Sequence, residues 1–362
     1  MRIGLVGLPN AGRSTLFNAV TGLSVPVAPF PYTTIESATG IASVPDQRLE
    51  SLARLAESKK VVPASIELVD IAGLAPGASA GEGLGNSFLT ALREIDALCH
   101  VVRCFDREDV PHVHGVVDPA ADIDAVNTEL ILKDFETVER RAERATRAAR
   151  GGDSGLRADA TVLADLAAHL GGGAAARSFA PLADRPELAT ELALLTAKPV
   201  VYAANIGEDD LGRDTDAIAA VRAAAERDGA EVVVVSADVE AQVAQLDTAD
   251  RPEFLASLGL EHSGLDRLVA AAYRLLDLVT FYTAGPKESR AWPVRTGSRA
   301  PRAAREIHSD LERGFIRAEV IAYDDWLRHG SEQAAKDAGV MRVEGKEYVV
   351  RDGDVLHIRF NV

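Results

Sequence analysis

Apolar residues gather in short continuous runs: RIGLVGL (2–8), IELVDI (66–71), ALCHVVRCF (97–105), PVVYAANI (199–206) and EVVVVS (231–236). Runs of this length without polar alternation mark strands covered on both faces, and segments with helical spacing separate them. The pattern predicts an α/β fold built on a mainly parallel sheet. Between about Asp122 and Lys198 the strand signal disappears. Ile123, Val126, Leu130, Phe135 and Val138 fall near helical spacing, and the charged stretch ERRAERATRAAR (139–150) continues the helix until Gly151 and Gly152. This predicts a helical hairpin inserted into the sheet domain, its arginines forming a solvated face, with a nucleic-acid contact as the sharper alternative.

The helix GLDRLVAAAYRLLD (264–277) closes the α/β pattern. Beyond it, TFYTAG, AWPVRTG, AEVIAY and YVVRDGDVLHIRF are short β-rich runs separated by Gly and Pro turns, which predicts a small α+β domain. The division expected from sequence is 1–121 with 198–277 for the sheet domain, 122–197 for the helical insertion and 278–362 for the C-terminal domain.

Composition adds limits. The chain of 362 residues is 47% apolar and 26% charged, enough to bury a sizeable core. Its net charge of −16 argues against non-specific nucleic-acid binding by the whole molecule. Residues 278–362 carry 14 basic and 13 acidic side chains, leaving 25 against 42 for residues 1–277, so the negative charge belongs to the first part. Two cysteines, Cys99 and Cys104, cannot make a disulfide framework and fit a reducing cytoplasm. No apolar run of about 18 residues appears, so no membrane contact is expected.

Candidate chemistry starts after the first strand, at Gly7-Leu8-Pro9-Asn10-Ala11-Gly12-Arg13-Ser14-Thr15. This is a phosphate loop, G-x-x-x-x-G-K-S, with arginine where lysine belongs. Glycines let backbone N–H groups converge on phosphate, the following helix adds its dipole, and the Ser14 hydroxyl suits Mg²⁺. Guanidinium is wider and forked where ammonium is compact, so Arg13 is not a conservative replacement. A dinucleotide fingerprint fits less well, because no G-x-G-x-x-G follows Gly4 and Gly7.

Asp70-Ile71-Ala72-Gly73 ends the IELVDI strand, where an acid holds the Mg²⁺ water shell and the glycine N–H senses a terminal phosphate. Thr34 in FPYTTIE is the candidate first-switch hydroxyl for Mg²⁺. Leu74 stands where a glutamine would orient the attacking water, so another group must do so. A histidine on a nearby loop is the expected one, from His112 or His114 in VPHVHG, while His100 reads as structural. Asn205-Ile206-Gly207-Glu208 replaces N-K-x-D, which weakens the case for guanine, and Ser236-Ala237-Asp238 would face the base from its other edge.

The ordered set GLPNAGRSTLFNAVTG, FPYTTIES, DIAGLAPGASAGEGLGN, HVVRCF, HVHGVVDP, NIGE, RGFIRAEV and YVVRDGDVLHIRFNV closely resembles the YchF subfamily of Obg-related P-loop NTPases, over nearly the whole chain. The resemblance implies a P-loop NTPase G domain with an α-helical coiled-coil insertion and a C-terminal TGS domain of β-grasp type. It also implies cytoplasmic, ATP-preferring hydrolysis, ribosome association and a role in translation or stress. The family's histidine motif places the catalytic role on His112 rather than His114, its hydrophobic residue after D-x-A-G matches Leu74, and its N-x-x-E matches Asn205 to Glu208. The chain departs from the pattern at Arg13 and at Ala80, where the family usually has lysines.

The function expected is an ATP-binding, Mg²⁺-dependent, slow ATPase acting as a switch on the ribosome, with the large subunit as its contact. Pro9 to Thr15, Thr34, Gly73, Asn205, Ile206, Glu208 and Ser236 to Asp238 would bind nucleotide. Ser14, Thr34 and Asp70 would serve Mg²⁺, and His112 with Leu74 would serve hydrolysis. The alternatives are a catalytically impaired or nucleotide-free ribosome or RNA scaffold, and a GTPase. Six basic residues within 287–305, beside Trp292, offer a candidate RNA strip, against a solvated loop around a core tryptophan.

Overall fold

The computed structural model describes residues 1–25, 37–71, 90–151, 153–247 and 249–361. The chain forms two compact units, Met1–Ile41 with Glu67–Ala272, and Ala42–Ile66 with Tyr273–Val362.

The apolar runs become strands β1 (Arg2–Val6), β4 (Ser65–Asp70), β5 (Ala97–Arg103), β6 (Val200–Asn205) and β7 (Glu231–Val235), with β2 at Ala38–Ser43 and β3 at Val61–Val62. The first sheet runs in the order β2-β4-β1-β5-β6-β7. Its pairs β1 with β4, β1 with β5, β5 with β6 and β6 with β7 are all parallel. Every residue of β5 and β6 is buried, the burial that their unbroken apolar runs require. Because these strands are parallel, the segments after Val6, Asp70, Arg103, Asn205 and Val235 all leave from one edge of the sheet, and the site is built there.

The insertion begins with one long helix, Pro119–Ala149, N-capped by Asp118 accepting from the Ala121 N–H. Its 31 residues span about 46 Å. Ile123, Val126 and Leu130 near its start belong to the core under the sheet. Further along, Val138, Ala142 and Ala145 join Leu163, Leu166 and Leu170 of the helix Ser154–Gly171 in a core of their own. One helical stripe thus serves two cores in succession.

The second unit has a six-stranded sheet in the order β11-β10-β12-β8-β9-β3. Its strands are β8 (Leu278–Thr283), β9 (Ser289–Arg295), β10 (Phe315–Ala322), β11 (Arg342–Glu344) and β12 (Asp354–Phe360), with β3 parallel to β9. Residues 42–66 therefore pack with the C-terminal part of the chain, and the contiguous division at 278 differs from this packing there and at 273–277. Asp46 caps the helix Gln47–Leu55 and accepts from the Tyr282 hydroxyl, and Arg48 bridges Asp46 at 3.1 Å to Asp352 at 2.6 Å. These polar links and the β3 pairing span positions far apart in sequence, which is why no local pattern announces them.

Candidate functional site

After β1 the chain turns through Gly7 at φ 153°, Asn10 at φ 63° and Gly12 at φ 91° into the helix Arg13–Thr21. A Cβ on Gly7 would lie 2.4 Å from the Val101 carbonyl oxygen, and one on Gly12 would lie 2.1 Å from the Asn205 amide nitrogen. Both glycines are required by left-handed backbone and by close approach together. The strand, glycine turn and helix start give the geometry that receives phosphate at a helix N-terminus. Pro9 and Ala11 are buried in the turn, while Gly12, Ser14 and Thr15 are half-buried.

Ser14 Oγ donates to Asp70 Oδ2 at 2.6 Å. Asp70 is fully buried at the end of β4, and its other oxygen, Oδ1, has no hydrogen-bond partner among the described residues. A buried carboxylate oxygen without a partner is unfavourable, and a hard cation with its water shell is the kind of group that satisfies it. Hydroxyl and carboxylate oxygens are the donors such an ion takes, so the residues fit a divalent cation.

Arg13 does not lie along the surface of the loop. It is 7% exposed, and its Nη1 donates to the Ile71 carbonyl at 2.7 Å and the Gly7 carbonyl at 3.3 Å. Burial lowers its pKa and the Asp70 carboxylate opposes that shift. The guanidinium thus joins the ends of β1 and β4.

Asn205 is buried at the end of β6, where its Nδ2 donates to the Ala11 carbonyl at 2.9 Å and its Oδ1 accepts from the Ala237 N–H at 2.9 Å. It fastens the phosphate loop to the turn after β7. Ile206 is buried, and its N–H donates to the Val235 carbonyl. Glu208 accepts from Gln242 at 3.4 Å, and Asp238 pairs with Arg107 at 3.0 Å. Ser236 Oγ is buried without a hydrogen-bond partner among the described residues. The structure therefore brings Asn205 and Ala237 to the phosphate loop. Thr34, Gly73, Leu74 and Ala80 lie outside the described residues.

The histidine loop follows β5. His112 Nδ1 accepts from the His114 N–H at 3.1 Å, which leaves the proton on Nε2 to be donated to Asp122 at 2.9 Å. Both side chains are about 95% buried, and burial raises the Asp122 pKa while His112 opposes it. Asn10 Nδ2 donates to the Pro111 carbonyl at 2.9 Å, so the phosphate loop and the histidine loop touch directly. Arg103, at the end of β5, donates to the carbonyls of Phe105, Val110 and Pro111. Sequence reasoning did not single this residue out. Its signal was an arginine closing an otherwise apolar strand.

In the C-terminal unit, Trp292 already makes contacts of its own. Its Nε1 donates to Thr283 Oγ1 at 3.0 Å, Arg290 lies 4.1 Å over its ring, and the ring packs beside Phe281. Trp292 is half-buried and packs against the C-terminal core, and it sits on β9 rather than in the solvated loop expected from sequence. Arg299, Arg302 and Arg305 of the basic strip pair with Glu347, Glu306 and Glu312. Glu319, Glu332 and His357 come close to one another, but Arg359 already holds Glu319 through two nitrogens at 3.2 and 3.0 Å, so the cluster is an ion-pair network. Among the described residues, no helix is long and apolar enough to cross a membrane.

Comparison with known proteins decides the family. Residues 278–361 match the YchF GTPase C-terminal domain, described as "Protein of unknown function (DUF933)", and residues 2–138 match a family described as "50S ribosome-binding GTPase". The chain is 48% identical to the "Ribosome-binding ATPase YchF" of Haemophilus ducreyi, covering 100% of this chain and 99% of the relative. The chain belongs to the YchF family.

It is also 47% identical to the protein of the same name from Bacillus subtilis, over 99% of both chains. The solved "Structure of the Schizosaccharomyces pombe YchF GTPase" superposes with a TM-score of 0.85 at 32% identity, covering 99% of this chain and 97% of that one. The chain thus has a P-loop GTPase-like domain and the family's C-terminal domain, and its phosphate loop carries Arg13.

Proposed function

We propose that this protein is a ribosome-associated, Mg²⁺-dependent ATPase of low turnover that acts as a conformational switch in translation or stress. The observation that carries the reading is the Ser14–Asp70 pair, with Asp70 Oδ1 unsatisfied among the described residues, set under a phosphate loop whose two glycines take positive φ against close neighbours. Ser14 and Asp70, with Thr34, would hold Mg²⁺, which when bound neutralises charge on the terminal phosphates. Backbone N–H groups of residues 10–15 would cradle the phosphates, with Pro9 shaping the turn before them. Asn205 holds that cradle against the turn at Ser236 to Asp238, and Ile206 and Glu208 in place of lysine and aspartate support adenine over guanine. His112 orients the attacking water from its loop, and to do so it leaves Asp122, since both ring nitrogens are engaged in the present conformation. Leu74 cannot play that part.

The partner is the ribosome, with the large subunit as its contact, in keeping with the names of the bacterial relatives and the description of the N-terminal match. RNA contact is proposed through the C-terminal domain and its basic strip 287–305. The compartment proposed is the cytoplasm.

His112→Ala tests the mechanism: binding of a non-hydrolysable ATP analogue with Mg²⁺ should persist while turnover falls by roughly 10²-fold or more. Unchanged turnover removes His112. Competition of ATP against GTP tests the base, and a tighter GTP complex would make the protein a GTPase. A second reading, a catalytically impaired nucleotide-binding or nucleotide-free ribosome or RNA scaffold, is favoured by Arg13, whose Nη1 is held by backbone carbonyls. Failure to detect analogue binding by calorimetry and by an independent probe would select the nucleotide-free form, and binding without turnover would select the nucleotide-binding one.

A further inference from the structure

Arg103 is 1% exposed, and burial lowers its pKa, so its charge sits where charge is unfavourable unless fully hydrogen-bonded. Its partners all lie on the loop that leads into His112: Nε donates to Phe105 O at 3.1 Å, Nη2 to Val110 O at 2.7 Å and Nη1 to Pro111 O at 3.4 Å. The guanidinium also lies 4.6 Å over the Phe105 ring. The proposed chemistry gives this residue no part.

The three bonds are not equal. Those to Phe105 and Val110 fix the base of the loop, while the long contact to Pro111 is weak. The Pro111 carbonyl is held more closely by Asn10, at 2.9 Å, from the left-handed turn of the phosphate loop. Pro111 is bonded directly to His112. The loop borders a cavity of about 670 Å³ lined by Arg103, Phe105, Val110, Pro111, His112 and Val116, so there is room for the segment to shift.

We infer that Arg103 is a positioning residue for His112: it pins the loop at Phe105 and Val110 so that the Pro111 carbonyl, held by Asn10, transmits movement of the phosphate loop to the histidine. Without a fixed base, a shift at Asn10 would be absorbed along 105–111 and would not reach the ring. A guanidinium suits this task because its rigid fork serves three diverging carbonyls, and an ammonium cannot.

This inference rests on the reading of His112 as the water-orienting group, and the test separates the two. Amide hydrogen exchange at Val113 and His114 is measured in the wild-type protein and in Arg103→Lys, with and without a non-hydrolysable ATP analogue and Mg²⁺, alongside analogue affinity and turnover. The wild type should show nucleotide-dependent exchange at His114, whose N–H is bonded to the His112 ring. Arg103→Lys should lose that dependence and about tenfold or more in turnover, with affinity changed less than about threefold. Nucleotide-dependent exchange and turnover preserved in Arg103→Lys would overturn the inference. So would wild-type exchange that ignores bound nucleotide, a readout that stands even if the variant fails to fold. Full turnover in His112→Ala would instead remove the reading beneath it, leaving the exchange result to judge the coupling alone.

Discussion

The guanidinium of Arg13 donates to the carbonyl oxygen of Ile71 at 2.7 Å, tying the first residue of the phosphate-loop helix to the residue after Asp70. A side chain at this position of a phosphate loop ordinarily points toward phosphate. Here the same group also reaches Gly7, so it closes the loop onto its own sheet. Hydrogen bonds from a charged donor to backbone are strong ones, and nucleotide must compete with them if it is to recruit the guanidinium.

Arg13→Lys should therefore tighten the complex with a non-hydrolysable ATP analogue and Mg²⁺ by roughly tenfold, about 1.4 kcal/mol, because the compact ammonium leaves the carbonyls more readily. Calorimetric titration of both proteins measures it. Affinity weakened by the substitution would show that the arginine itself serves the phosphates.

Asn205→Ala removes bonds to the Ala11 carbonyl and the Ala237 N–H, both buried. The loss should destabilise the protein by about 2–4 kcal/mol. Asn205→Asp keeps the acceptor for Ala237 but turns a carboxylate oxygen against the Ala11 carbonyl, so it should rescue little. Urea unfolding of the three proteins is the check, and a loss under 0.5 kcal/mol, the size of ordinary surface substitutions, would deny Asn205 this fastening role.

His100, on β5, is 2% exposed and lies against the Tyr202 ring, and burial brings its pKa from 6.5 down to about 3. Above about pH 6.5 the imidazole is neutral folded and unfolded, and its contribution to stability is complete. As pH falls below that value the unfolded chain takes up a proton that the folded chain refuses, down to the folded pKa. Stability should drop by up to about 1.4 kcal/mol per pH unit from this group. Urea unfolding at pH 6.5 and 5.0 reads the slope, and His100→Gln should flatten it. An equal slope in the variant would assign the proton elsewhere.

Cys99 and Cys104 are 1% and 5% exposed, and burial pushes both thiols up to about 12. The thiol form does not attack, so neither cysteine should react with an alkylating reagent in the native protein, and both should react in urea. Stoichiometric native labelling of either would reopen a redox role.

Much of this was readable along the chain. The unbroken runs at 97–105 and 199–206 became the wholly buried strands β5 and β6, and the glycines at 7 and 12 became the turn they implied. The grouping of residues 42–66 with the C-terminal unit was not readable, because Arg48 meets Asp352 and Val61 pairs with Ser289 across more than 200 positions. Trp292 was ambiguous for a related reason: whether an indole is a platform or a core side chain depends on Thr283 and Arg290, which only the sheet and its edges bring to it.

The sequence by itself determined the five buried strands of the first sheet, their parallel arrangement and the residue types at the phosphate loop, because burial on two faces, helical spacing and left-handed turns each constrain neighbouring positions. Only the tertiary structure decided how the charged groups are disposed. Arg13 bridges Gly7 and Ile71, Asp70 Oδ1 is left without a hydrogen-bond partner among the described residues, His112 is held by Asp122, and Arg103 pins the loop before it. A side chain's charge is written in the sequence, but its partners come from strands and loops distant along the chain, and in a low-dielectric interior those partners set what the charge does.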